Sequence, residues 1–186
     1  MEQLVRDRRD APDADTSVAL LDAAEQEEAL RILVNQALLT RRAWSMRLAA
    51  IAMNRFVASP SDGSVSNVSE LFFELADGVA EFNDDAALRT CLNAMKWLNE
   101  SGRLRPLKVR DRQSALELLW RGLGSDLYNT RESGLDTLTS IHDFGDLVEL
   151  LGDDGAEELR RRIQEARSEA GGEVADDLES AKSVLP

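Results

Sequence analysis

The stretch from Asn83 to Gly152 constrains this chain more than any other. In it DDAALRTCLNAMKWLNESG, VRDRQSALELLWRGLG and SDLYNTRESGLDTLTSIHD follow one another with short polar breaks, and FGDLVELLG closes the run. Leu88, Leu92, Met95 and Leu98 recur at intervals of three and four, as do Ala115, Leu116, Leu118, Leu119 and Leu123. On a helix, where each residue turns about 100°, that spacing makes one continuous apolar face; on a strand it makes none. Period-2 alternation is absent over any useful length, so no strand is expected. Only 4 prolines, with abundant Ala, Leu, Glu and Arg, favour helix as well. The expectation is an all-α chain, built either as stacked antiparallel helical hairpins or as a single multi-helix bundle, with amphipathic C-terminal helices.

Read in order, residues 1–15 are a charged arm with little apolar surface beyond Leu4 and Val5. Thr16 and Ser17 offer an N-cap for a helix whose Leu30, Leu33, Ala37 and Leu38 share a face. Thr40 reads as a fresh cap, with Leu39 and Trp44 placed to form a hydrophobic staple. The next segment, RRAWSMRLAAIAMNRFV, is apolar on more than one side and is therefore expected to be buried in the middle of the fold. Ser59 to Ser64 is a loop. Asn67 with Glu70 suggests a capping box ahead of a stripe formed by Val68, Leu71, Phe72, Leu75, Val79 and Phe82. Asp84 or Asp85 caps the following helix, Gly102 stops it, Pro106 sits in the first turn of the next, and Asp126 opens another that runs through Ile141.

After Gly152 the surface becomes highly charged. Asp154 and Glu157 read as a capping box, Glu157–Arg161 and Glu158–Arg162 as ion pairs one turn apart, and Ala156, Leu159, Ile163 and Ala166 as a narrow apolar stripe. Gly171-Gly172 is a hinge before a last helix with Val174, Leu178, Ala181 and Leu185. This divides the chain into an arm (1–15), an all-helical domain (16–152) and a charged amphipathic helical tail (153–186). The core is expected to include Trp44, Ile51, Leu71, Leu75, Leu92, Met95, Leu119 and Leu138.

Composition excludes several functions. With 186 residues and 43% apolar content the chain can bury one proper core. A net charge of -13 argues against general nucleic-acid binding, because most of the surface repels phosphate. The single cysteine, Cys91, allows no disulfide framework and fits a reducing, cytoplasmic setting. No run approaches the roughly 18 apolar residues a membrane helix needs, and the N-terminus lacks the apolar core of a signal peptide. Lys96, Lys108 and Lys182 are the only lysines. An acid-rich, lysine-poor composition resembles that of salt-accumulating halophiles; a GC-rich genome that writes Arg for Lys is the alternative.

Arg47, Arg89 and Arg131 recur at an even step of 42 residues within WSMRLAAIAM, AALRTCLNAM and YNTRESGLDTL. Each follows a polar or acidic turn and precedes small and apolar residues, except that Asn93 breaks the pattern after Arg89. Over about residues 40–152 this resembles HEAT or armadillo-type helical repeats, in which small residues let paired helices pack closely. The resemblance implies that each Arg bonds to an acidic residue of a neighbouring repeat.

Candidates for chemistry are few. His142-Asp143 resembles the dyad of metal-dependent phosphohydrolases, yet that site and a di-iron bundle both need more histidines than this one. Asp84-Asp85 and Asp153-Asp154 lie at helix starts, where capping explains them. Cys91 falls on an apolar face, and Gly122-Leu123-Gly124 lacks the lysine and the strand of a phosphate loop. No catalytic, metal or cofactor site is expected. Two binding surfaces are: the stripe Leu159, Ile163, Ala166, Val174 and Leu178 for a partner helix, and the basic run Arg103, Arg105, Lys108, Arg110 and Arg112 for an anion or an acidic partner. The functional expectation is a non-catalytic adaptor docking another protein or self-associating. The alternative is a helical regulator that binds an anionic ligand or nucleic acid through the basic run.

Overall fold

The computed structural model describes residues 23–58, 68–82, 84–104, 106, 108–169, 172–181 and 185. Among them the chain is all-α: α1 (Ala23–Thr40), α2 (Ala43–Ala58), α3 (Val68–Phe82), α4 (Asp85–Glu100), α5 (Val109–Leu123), α6 (Tyr128–Thr139), α7 (Phe144–Leu151), α8 (Asp153–Glu169) and α9 (Glu173–Ser180). Consecutive helices pair as hairpins laid side by side in two rows. One row is α2, α4 and α6, continued by α9; the other is α1, α3 and α5, continued by α7 and α8.

The even 42-residue step is a packing register along the first row. Met46, Leu88 and Thr130 take equivalent places on α2, α4 and α6, and all three are buried. The same holds for Ala49, Cys91 and Ser133; for Met53, Met95 and Thr137; and for Phe56, Leu98 and Ser140. In three of these four sets the side chain is smallest at α6, and α6 also approaches α5 closely: a Cβ at Gly134 would lie 2.9 Å from the Leu123 backbone nitrogen and 3.0 Å from the Gly122 carbonyl carbon. Hydroxyls can be buried here where they find an acceptor. Thr137 Oγ1 donates to the carbonyls of Leu92 (3.0 Å) and Ser133 (2.7 Å), and Ser140 Oγ donates to that of Thr137 (2.6 Å).

Two of the three arginines at that step reach an acid of the next hairpin. Arg47 forks onto Asp84 with contacts of 2.7 to 3.0 Å, while Asp84 also caps α4 by accepting from Ala87 N–H at 3.0 Å. The guanidinium, helped by the backbone amide, holds the Asp84 carboxyl below its ordinary value. Arg131, only 3% exposed, bonds Asp177 at 3.0 Å and the carbonyls of Ser125 and Asp126, fastening α6 to α9. Arg89 is exposed and makes no ion pair among the described residues.

The core departs from expectation at one end. Leu71, Leu75, Leu92, Met95, Leu119 and Leu138 are buried, but Trp44 and Ile51 are not. Thr40 is the last residue of α1 rather than a cap of α2, and it donates to the Gln36 carbonyl at 2.7 Å. Arg41 then turns the chain with φ 47, so Leu39 and Trp44 both face solvent and no staple forms. Pro106 precedes the Lys108 cap of α5 instead of lying in its first turn, and Asp111 accepts from Lys108 N–H at 3.1 Å. α8 starts at Asp153, one residue before the expected cap. The arm and the Thr16, Ser17 and Asn67 caps lie outside the described residues.

Candidate functional site

α2 is apolar nearly all round, yet only one side of it enters the core. Met46, Ala49, Ala50, Met53 and Val57 are buried against α1 and α4. On the other side Trp44, Leu48 and Ile51, one per helical turn, are 56%, 45% and 42% exposed. On the neighbouring α4, Trp97 is 45% exposed and lies across a cleft from Asn54 of α2. A single exposed leucine needs no explanation. Four large apolar side chains on adjacent helices, two of them tryptophan, make a patch of the kind that binding surfaces use.

Between the two helices lies a cleft of about 420 Å³ lined by Asn54, Asn93, Lys96, Trp97 and Glu100. Asn54 sits one turn beyond Ile51, and its Oδ1 is buried with no hydrogen-bond partner among the described residues. A buried acceptor left unpaired costs about 1–3 kcal/mol.

The charge on this side is opposite to that of the chain. From Ala29 to Ser61 there is no Asp or Glu, while Arg31, Arg41, Arg42, Arg47 and Arg55 all fall there. Among the described residues Glu81 meets Arg41 at 3.2 Å and Asp84 meets Arg47. Arg42 is exposed and makes no ion pair among the described residues. The segment from 29 to 61 thus carries only positive charge on a chain of net charge -13.

The two surfaces expected from sequence are engaged within the chain. Leu159, Ile163 and Leu178 are buried, and Ala166 and Val174 pack half-buried against the same core cluster as the body. The stripe assigned to a partner helix is thus covered by α5, α7 and α9. Gly152 marks a change of surface charge, and the buried cluster runs straight across it. In the basic run, Lys108 Nζ holds Glu70 at 2.6 Å, Arg110 pairs with Asp77, and Arg103 donates to the Val57 carbonyl and to Ser101 Oγ at 2.9 Å. Arg112 lies against Gly152 at the C-terminal end of α7, where a positive charge complements the helix dipole. Arg105 lies outside the described residues. Among its described residues these contacts leave the run no free cationic cluster.

The candidates for chemistry resolve into structure. Asp143 caps α7, accepting from Asp146 N–H at 2.9 Å, and His142 is exposed just before it. Burial pushes the Cys91 thiol up to about 12, which keeps it protonated and inert. Among the described residues no group of three His, Cys, Asp or Glu side chains could hold a metal, and no helix is long and apolar enough to cross a membrane. The α2 face was missed in the sequence because its apolar residues were assigned to the core. The acid-free window from 29 to 61 was the signal that could have found it. No family model, curated protein or solved structure matches this chain.

Proposed function

We propose that the chain is a non-catalytic docking module, an adaptor that binds a partner helix along α2 and into the cleft beside Trp97. The observation that carries this is the solvent-facing row Trp44, Leu48 and Ile51, with Trp97 exposed on the neighbouring α4. Amphipathic helices are recognised in this way, by anchors spaced one turn apart that bury apolar side chains while aromatic residues supply contact area at small entropic cost. The side-by-side hairpins, and the two arginines that reach an acid of the next hairpin, support the HEAT-like reading of the scaffold. Its single buried cysteine supports a cytoplasmic setting.

The test is affinity capture from the native host with wild-type protein and with Leu48→Asp. Leu48 is exposed, so the variant should keep its thermal midpoint and lose the partner. A partner retained at wild-type yield by Leu48→Asp would sink the assignment of this face.

A further inference from the structure

We infer that the partner is a second copy of this chain: two molecules meet near end to near end, first hairpin against first hairpin, about a two-fold axis. This rests on the docking reading above and names the partner of that same face. The hairpin of α1 and α2 begins the stack and packs on α3 and α4. It carries Ile32, Leu39, Trp44, Leu48 and Ile51, half of the ten large apolar side chains exposed among the described residues. The other five are spread from α3 to α6. A stack of helical hairpins stays soluble by ending in polar outer faces. The far end obeys this: Arg161 lies on Glu158 and Glu165, and Arg167 of α8 reaches Glu179 of α9 at 2.6 Å. The near end does not.

Charge selects the occupant. Two chains of net charge -13 repel one another over most of their surfaces. The first hairpin has no Asp or Glu after Glu28, and its arginines are answered within the chain: Arg31 by Glu27 at 3.1 Å, Arg41 by Glu81, Arg47 by Asp84, and Arg55 by a contact of its own. Arg42 alone makes no ion pair among the described residues. The face is therefore apolar and close to neutral, and calls for neither a cationic nor an anionic partner. It is where two copies can touch without unpaired carboxylates opposing one another.

Size sets the strength. Helices of 18 and 16 residues lying about 10 Å apart make a face of roughly 500 Å² taken as flat. That is below the ~800 Å² per partner of a standard interface and suits a reversible dimer of micromolar affinity. A two-fold contact consumes the near end of both copies and leaves only the polar far ends outside, so assembly closes at two.

Sedimentation velocity of the full chain from about 1 to 300 µM tests this. The expected result is reversible conversion of the 20.6 kDa chain to twice that mass, tightening with added salt as screening removes the residual repulsion. Leu48→Asp should weaken association by about tenfold or more with circular dichroism unchanged. Val109→Asp, at a more exposed apolar residue outside the hairpin, should leave it as in the wild type. A chain that stays single throughout overturns the inference; if Leu48→Asp then still loses a partner captured from the host, the docking face stands and belongs to another protein. If neither self-association nor capture depends on Leu48, both readings fall. Loss of the dimer in Val109→Asp as well, or growth beyond two copies, overturns the near-end two-fold. Dimerisation that appears only on deletion of residues 1–22 also overturns it, by giving the face to the chain's own N-terminal segment.

Discussion

The two ends of this stack treat apolar surface in opposite ways. At the far end, α8 turns Leu159 and Ile163 inward and covers its outer face with ion pairs: Arg161 with Glu158 (2.7 Å) and Glu165 (2.6 Å), and Arg162 with Glu158 (2.7 Å) and Glu117 (2.9 Å). At the near end, α2 has the same kind of inner stripe and a second apolar row in solvent, edged by arginines. A strongly amphipathic helix has one face to satisfy, and its own fold can satisfy it. A helix that is apolar all round at the margin of a stack has surface left over. The surplus, more than the amphipathicity, marks where something else binds.

Breaking the comparison begins with matched leucines. Leu159→Ala should cost about 2–5 kcal/mol, whereas Leu48→Ala should stay within about 0.5 kcal/mol, as surface changes do. Urea midpoints read both, and equal losses would erase the difference between the ends. Asp177→Asn leaves the buried Arg131 without its counter-charge. Because Asp177 is itself 21% exposed, the loss should fall at or below the lower end of the roughly 3–5 kcal/mol seen for fully buried pairs. Arg47→Gln at the other end breaks an exposed fork and should cost at most about 1 kcal/mol.

Gly134→Ala tests the middle of the stack. Its new methyl meets backbone rather than movable side chain, so about 1–3 kcal/mol should be lost, with α5 and α6 pushed apart. Cys91 reports on the same interior. With its thiol held near 12 and no exposure, it should react with a disulfide reagent only as fast as the core opens, and denaturant should release it. Rapid reaction in buffer would show the α4 register to be wrong.

The smallest effect is acid sensitivity. Arg47 lowers the Asp84 carboxyl, and Arg161 and Arg162 bring Glu158 down to about 2. Both groups ionise more readily in the folded chain, so the stability they lend is present above the ordinary carboxylate value, about 4, and is lost as pH falls through the lowered one. Urea midpoints should therefore decline below about pH 4, and Arg47→Gln should shallow that decline slightly.

Much of this was legible in the residues. Helix class, the stripes of α4 and α5, that of α3 as far as Val79 and the interior place of Cys91 follow from spacing alone; Phe82 is exposed, and of the two expected caps, Asp84 or Asp85, it is Asp84 that caps α4. The stripes of α8 and α9 were also read correctly, but spacing cannot say whether a stripe is covered by its own chain or by another. That depends on α5 reaching α8, and α6 reaching α9, through contacts far apart in sequence. Trp44 and Ile51 fail for the converse reason. Being apolar places a residue on an apolar face, and α2 has two such faces with, among the described residues, a neighbour for only one.

The 42-residue register also governs how this chain could be lengthened. Inserting a whole hairpin of that step would set a new helix into the row with its buried positions already facing α4 or α6. One residue added within α4 would instead rotate everything beyond it by about 100°, swinging Leu98 off the core and bringing Trp97 into its place. Growth of such a chain is quantised, and the unit is the pair of helices rather than the turn.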